Sequence, residues 1–172
     1  DDDGGDDKEF IEIYNPTTAS VDVSTMAVVL YNGSNSQEYR RVPLIGSLAA
    51  GGYLVIVAAS TVGITPTDPS YVVSGGFQNG APDGVGLLDT TTDTLIDFIT
   101  YEGSFTGGTT LNDPSGMPYT SIPAPHNLSI GADTPTPDTQ SLIRILDGCD
   151  TGAPDMDWTA TPMVTPGAPN ML

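Results

Sequence analysis

YLVIVAA (residues 53–59) is the most apolar run in the chain, preceded by the small-residue stretch GSLAAGG (46–52) and followed by a Thr/Pro-rich stretch. A run this short and this rich in β-branched side chains reads as a strand buried on both faces, central in its sheet. Upstream, EFIEIYNP (9–16) alternates Ile11 and Ile13 with Glu12, gives Phe10 and Tyr14 to the other face, and stops at Pro16. VDVSTMAVVLYNG (21–33) ends on Asn-Gly, a strong turn signal, and YRRVPL (39–44) returns as its hairpin partner. Downstream, the turn cluster NGAPDG (79–84) leads into VGLLD (85–89), and after TTTD the chain resumes as TLIDFITYEG (94–103). Strict alternation there puts Leu95, Asp97, Ile99 and Tyr101 on one face and Ile96, Phe98 and Thr100 on the other, as in an inner strand. With a short YVV (71–73), SLIRIL (141–146) and a Trp158 expected to close the core, seven to nine strands emerge and no βαβ spacing. The fold class is all-β, a two-sheet β-sandwich with long loops.

Composition agrees. The 172 residues include 20 glycines and 15 prolines without a collagen-like period, which breaks helices and suits a loop-rich module. The expectation is one domain over residues 1–172, with an acidic loop at 1–8 (DDDGGDDK) and a long Pro/Gly-rich insertion at 104–140. Acidic residues number 22 against four basic ones, Lys8, Arg40, Arg41 and Arg144, for a net charge of −18. That field repels phosphate, so neither nucleic acid nor an anionic membrane surface is an expected partner. It favours divalent cations, salty surroundings or a basic partner instead. No apolar run approaches the roughly 18 residues a membrane span needs, so membrane insertion is not expected. A chain starting at Asp1 reads as mature or trimmed, and the lone Cys149 has no partner for an internal disulfide.

The motifs of hydrolytic and nucleotide chemistry are missing. The single histidine, His126, sits in SIPAPHNLS without a GxSxG elbow elsewhere, and HExxH, GxxxxGK[ST] and GxGxxG do not occur. His126 is therefore read as structural, and no catalytic or cofactor-binding residues are assigned. The candidate metal ligands are Asp1, Asp3, Asp6, Asp7 and Glu9, an oxygen-rich set that suits Ca2+ as an alternative to a solvated loop. Their spacing departs from the EF-hand, because Gly5 fills the fifth position and Glu12 belongs to a strand. A second acidic group, Asp147, Asp150, Asp155 and Asp157, matches no ligand pattern, and Asn32-Gly33-Ser34 and Asn127-Leu128-Ser129 satisfy the N-glycosylation rule.

Taken in order, EFIEIYNP (9–16), VDVS (21–24), SLAAGGYLVIV (47–57), NGAPDGVGLLD (79–89), LIDFITYEG (95–103), SLIRI (141–145) and DW…TPGAPN (157–170) resemble the lamin-tail domain, in its bacterial secreted or surface branch. The chain departs from that pattern at Thr25 and Met26, where the family commonly has Gly-Trp. The chain also begins inside the acidic loop, ahead of which bacterial members usually carry a short apolar strand. The resemblance implies an immunoglobulin-like β-sandwich without catalytic residues of its own. The expected function is a non-enzymatic, extracellular or cell-surface structural and interaction module, able to self-assemble into a surface fibre or filament. Its expected partners are proteins, either copies of itself or neighbouring modules of the same parent. Two alternatives are an accessory module of a larger secreted hydrolase of nuclease or phosphatase type, and a carbohydrate-binding sandwich that stacks glycan on Trp158 and the tyrosines.

Overall fold

A computed structural model of the chain describes residues 8–78, 80–101, 103, 105, 111–121, 126–127 and 140–172, the pair 126–127 by backbone alone. Nearly all regular structure is strand, as the sequence predicts. The chain divides into two compact units, residues 1–21, 47–79 and 132–172 in one and 22–46 and 80–131 in the other. The two-residue strands β2 (Val21–Asp22) and β5 (Ser47–Leu48) lie where the chain passes between them.

The first unit is built on β6 (Tyr53–Ala58), buried from Leu54 onward. It sits between β1 (Phe10–Tyr14), antiparallel, and the short β7 (Val72–Val73), parallel. The apolar run that anchors the sequence reading is thus the central strand of its sheet. Phe10 faces Val57, Glu12 faces Val55 and Tyr14 faces Tyr53, so these six side chains share one face. A hairpin of β11 (Ser141–Arg144) and β12 (Trp158–Thr161), with the single-turn helix α1 (Pro154–Asp157) before β12, completes the unit. Asn15, directly after β1, is buried, and its side-chain N–H group reaches the carbonyls of Leu48 at 2.9 Å, Ala49 at 3.0 Å and Ala19 at 2.9 Å. Its Oδ1 accepts from the Thr17 amide at 3.0 Å, so this side chain ties the turn after β1 at both ends.

The second unit is a five-stranded sheet in the order β10–β9–β8–β3–β4. Here β3 is Met26–Asn32, β4 Gln37–Pro43, β8 Asp83–Asp89, β9 Thr94–Tyr101 and β10 His126–Asn127. The predicted hairpin β3–β4 forms, and its turn places Ser36 at φ 57°. β3 is an inner strand, between β8 and β4, and Ala27 through Tyr31 are all buried. Opposite Val29 and Tyr31 lie Gly86 and Gly84. A Cβ on Gly86 would sit 2.8 Å from Leu95 Cδ2, and one on Gly84 would sit 2.8 Å from the Phe105 ring, so rings and methyls occupy the space these glycines leave. The core gathers Val29, Tyr31, Leu88, Leu95, Phe98, Leu111 and Tyr119, with Phe105 packed against it. Tyr31 meets Phe98 and Tyr119 edge to face, at 5.5 and 6.0 Å between centroids.

Three expectations change. The alternation in β9 is broken where Leu87 pairs with Asp97 but Leu88 pairs with Leu95, leaving Ile96 as the extra residue of a bulge and 49 % exposed. Leu95 and Phe98 therefore enter the same core, although strict alternation separates them. Of the segment read as an insertion, residues 111–121 contribute Leu111 and Tyr119 to that core, while most of the remainder lies outside the described residues. Trp158 is half-buried rather than a core plug, with the Arg144 guanidinium 4.7 Å above its ring.

Candidate functional site

The polar side chains in the described residues work mainly to hold strands and loops. In the second unit Glu38, its side chain fully buried, accepts from Arg41 Nε at 2.8 Å and Nη2 at 2.7 Å, and the Tyr119 hydroxyl donates to the same carboxylate. Burial, followed by the Glu38 carboxylate, pushes the Tyr119 phenol up, and burial with the neighbouring Tyr119 pushes Tyr31 up further. Both phenols stay protonated and supply no base; Tyr119 is the donor to Glu38.

In the first unit the C-terminal segment is fastened to the β1–β6 sheet at Glu12 and Tyr53. The Gly167 amide donates to Glu12 Oε2 at 2.6 Å, and Tyr53 Oη donates to Asp147 Oδ2 at 2.6 Å. Asn170 adds its amide to Asp147 and its side chain to the Arg144 carbonyl at 3.0 Å. Burial pushes the Glu12 carboxyl above its ordinary range; the Gly167 N–H pulls it back, and the charge of Asp147 pushes it up again.

Of the metal candidates, Asp1, Asp3, Asp6 and Asp7 lie outside the described residues. Glu9 is buried, and its Oε2 accepts from the Phe77 amide at 3.2 Å. Its carbonyl takes the Ala58 amide and the Thr61 hydroxyl, so it fastens the start of β1. Among the described residues no three His, Cys, Asp or Glu side chains converge as metal ligands. The second acidic group is dispersed over separate tasks. Asp147 holds Tyr53 and Asn170, Asp150 accepts from the Gly152 amide, and Asp157 accepts from the Thr151 amide and hydroxyl. Burial works against ionised Asp157, but the Thr151 bonds outweigh it and its carboxyl sits below the ordinary range. His126 pairs through its backbone with Ile99, and Asn32 uses its Oδ1 on the Ser34 amide and hydroxyl.

What remains is backbone. β1 bonds to β6 through alternate residues: the Ala58 amide donates to the Glu9 carbonyl and the Asn15 amide to the Gly52 carbonyl. That parity places Glu9, Ile11, Ile13 and Asn15 inward, so the N–H and C=O of Phe10, Glu12 and Tyr14 point away from β6. Among the described residues no backbone group bonds to these three. The opposite case is β4, the edge of the five-stranded sheet. The Glu38 amide is taken by the Asn112 carbonyl, the ladder is irregular between Leu30 and Tyr31, and Pro43 closes the strand. Its remaining length carries Arg40 and Arg41. Charge, irregularity, proline and cover are the usual guards of an edge, and among the described residues β1 shows the single charge of Glu12 within the strand.

Sequence reasoning missed the roles of Asn15, Glu38 and Arg41 because their partners lie far along the chain. The acceptor edge of β1 was legible only as a strand; its place at the side of the sheet is a property of topology.

The chain matches the family model described as Lamin Tail Domain over residues 1–103, more than half of its length. No curated protein and no solved structure matches it.

Proposed function

Because this chain belongs to the lamin tail domain family, an immunoglobulin-like β-sandwich that is not itself catalytic, we propose that it is an extracellular structural module that holds other protein modules through its strand edges and loops. The observation that carries this reading is the edge of β1, five residues long, where Phe10, Glu12 and Tyr14 present outward amides and carbonyls to which no backbone group among the described residues bonds. Such a row is a template for main-chain pairing, while the buried polar side chains around it are engaged in holding the fold. The partners are neighbouring modules of the same parent protein and further copies, the copies joined head to tail through unlike surfaces into a surface fibre. A charge of −18 sets copies against one another, so calcium or salt would have to screen it first.

Particle mass by light scattering, in millimolar calcium and again after chelation, tests the assembly. Species much heavier than the 17.8 kDa chain, extended in electron micrographs and lost on chelation, are expected. A mass fixed at 17.8 kDa in both conditions would contradict assembly of copies.

A further inference from the structure

We infer that the β1 edge accepts an extended segment of another protein in antiparallel pairing, and that the segment carries a lysine or arginine opposite Glu12. This rests on the reading of β1 as an interaction edge and names what occupies it. The three outward residues are symmetric about Glu12, with Phe10 two positions before it and Tyr14 two after. An antiparallel strand bonded through their amides and carbonyls sets one of its own residues directly opposite Glu12, on the same face of the sheet.

That geometry disfavours a second β1 as the occupant. Two β1 strands centred on one another place Glu12 against Glu12, like charges directly opposed, between two Phe10–Tyr14 pairs. A single charge at the centre of an otherwise apolar edge is a common guard against self-pairing. It discriminates by sign, however, and a cationic residue at the same place meets a carboxylate of which Oε2 accepts from the Gly167 amide and which has Asp147 as an acidic neighbour. The charge of −18 attracts the same segment over longer range. The preferred sequence alternates, with apolar residues two places either side of the cation to lie against Phe10 and Tyr14.

The test uses three seven-residue peptides that alternate threonine and valine: one with a central lysine, one with a central glutamate, and one with the lysine moved by a single position. Each is titrated into the isotope-labelled chain while backbone amide resonances are followed. The central-lysine peptide is expected to shift and protect the amides of Phe10, Glu12 and Tyr14. It should bind about tenfold more tightly than the glutamate peptide, the ratio that opposite against like charges in directly opposed pairs gives. It should also beat the moved-lysine peptide, which has the same net charge. In Glu12→Gln, whose amide oxygen still accepts from Gly167, that preference should vanish while β1 pairing persists. If all three peptides shift the β1 amides equally, the cation selectivity is wrong and the interaction edge stands. If none touches them, the edge reading itself falls.

Discussion

Replacing Glu38 with glutamine is expected to destabilise the chain by about 2–3 kcal/mol. The carboxylate, with 0 % of its side chain exposed, takes two bonds from Arg41 and one from Tyr119. Glutamine preserves the volume but turns an N–H2 group toward one of those donors, so at least one buried bond is replaced by a clash of donors. Breaking a buried ion pair from one side costs about 3–5 kcal/mol in general. Arg41 is 33 % exposed, and its freed guanidinium recovers water, which brings the loss below that range. Urea unfolding followed by far-ultraviolet circular dichroism would read this as a midpoint lowered by about 1 M at an unchanged slope. A double-mutant cycle with Tyr119→Phe should return a coupling of about 1 kcal/mol, since both changes act on the same carboxylate. A loss under about 0.5 kcal/mol for Glu38→Gln, with no coupling to Tyr119, would refute the view that this cluster ties β4 to the core.

Further consequences follow from local geometry. Asn15→Ala removes the side-chain bonds that tie the turn after β1 to Leu48, Ala49, Ala19 and Thr17 and should cost about 2–4 kcal/mol, measured by the same unfolding curves. Gly33→Ala would set a Cβ 2.4 Å from the Pro82 carbonyl oxygen and 2.5 Å from the Phe105 ring, and should cost at least about 3 kcal/mol. Gly86→Ala, whose closest neighbour is a movable Leu95 methyl, should cost less. On the alkaline side, Tyr31 and Tyr119 have phenols raised above their unfolded value of 10.0. The stability they contribute is complete below that value and is lost as pH rises through the folded values. Ultraviolet titration should therefore show phenols that ionise only with loss of the second unit's structure, whereas a single reversible step near 10 for every tyrosine would contradict it.

The strands that were legible in the sequence are those whose pattern is local. YLVIVAA is the middle strand between β1 and β7 and is buried from Leu54 to Ala58, as its composition said; β3 and β4 were legible from Asn32-Gly33 between two apolar runs. The bulge at Ile96 was not legible, because strict alternation and a one-residue slip leave the same residue types in place and differ only in pairing with β8. Tyr119 and Leu111 were hidden among prolines and glycines, where no period marks a core residue. Glu38 gave no signal, since its partners at 41 and 119 converge only after β4 has formed. The acidic excess led toward the metal candidates at 1–9, while Glu12, read only as the polar side of an alternating strand, stands at the centre of the edge.

Hydrogen exchange at single-residue resolution over β1 reads whether its outer row of amides is open, and needs no partner. Alternation is expected: slow exchange at Ile11 and Ile13, whose amides bond to β6, and fast exchange at Phe10, Glu12 and Tyr14. Uniform protection from 10 to 14 would contradict it, since the edge would then already be paired and closed to any other chain.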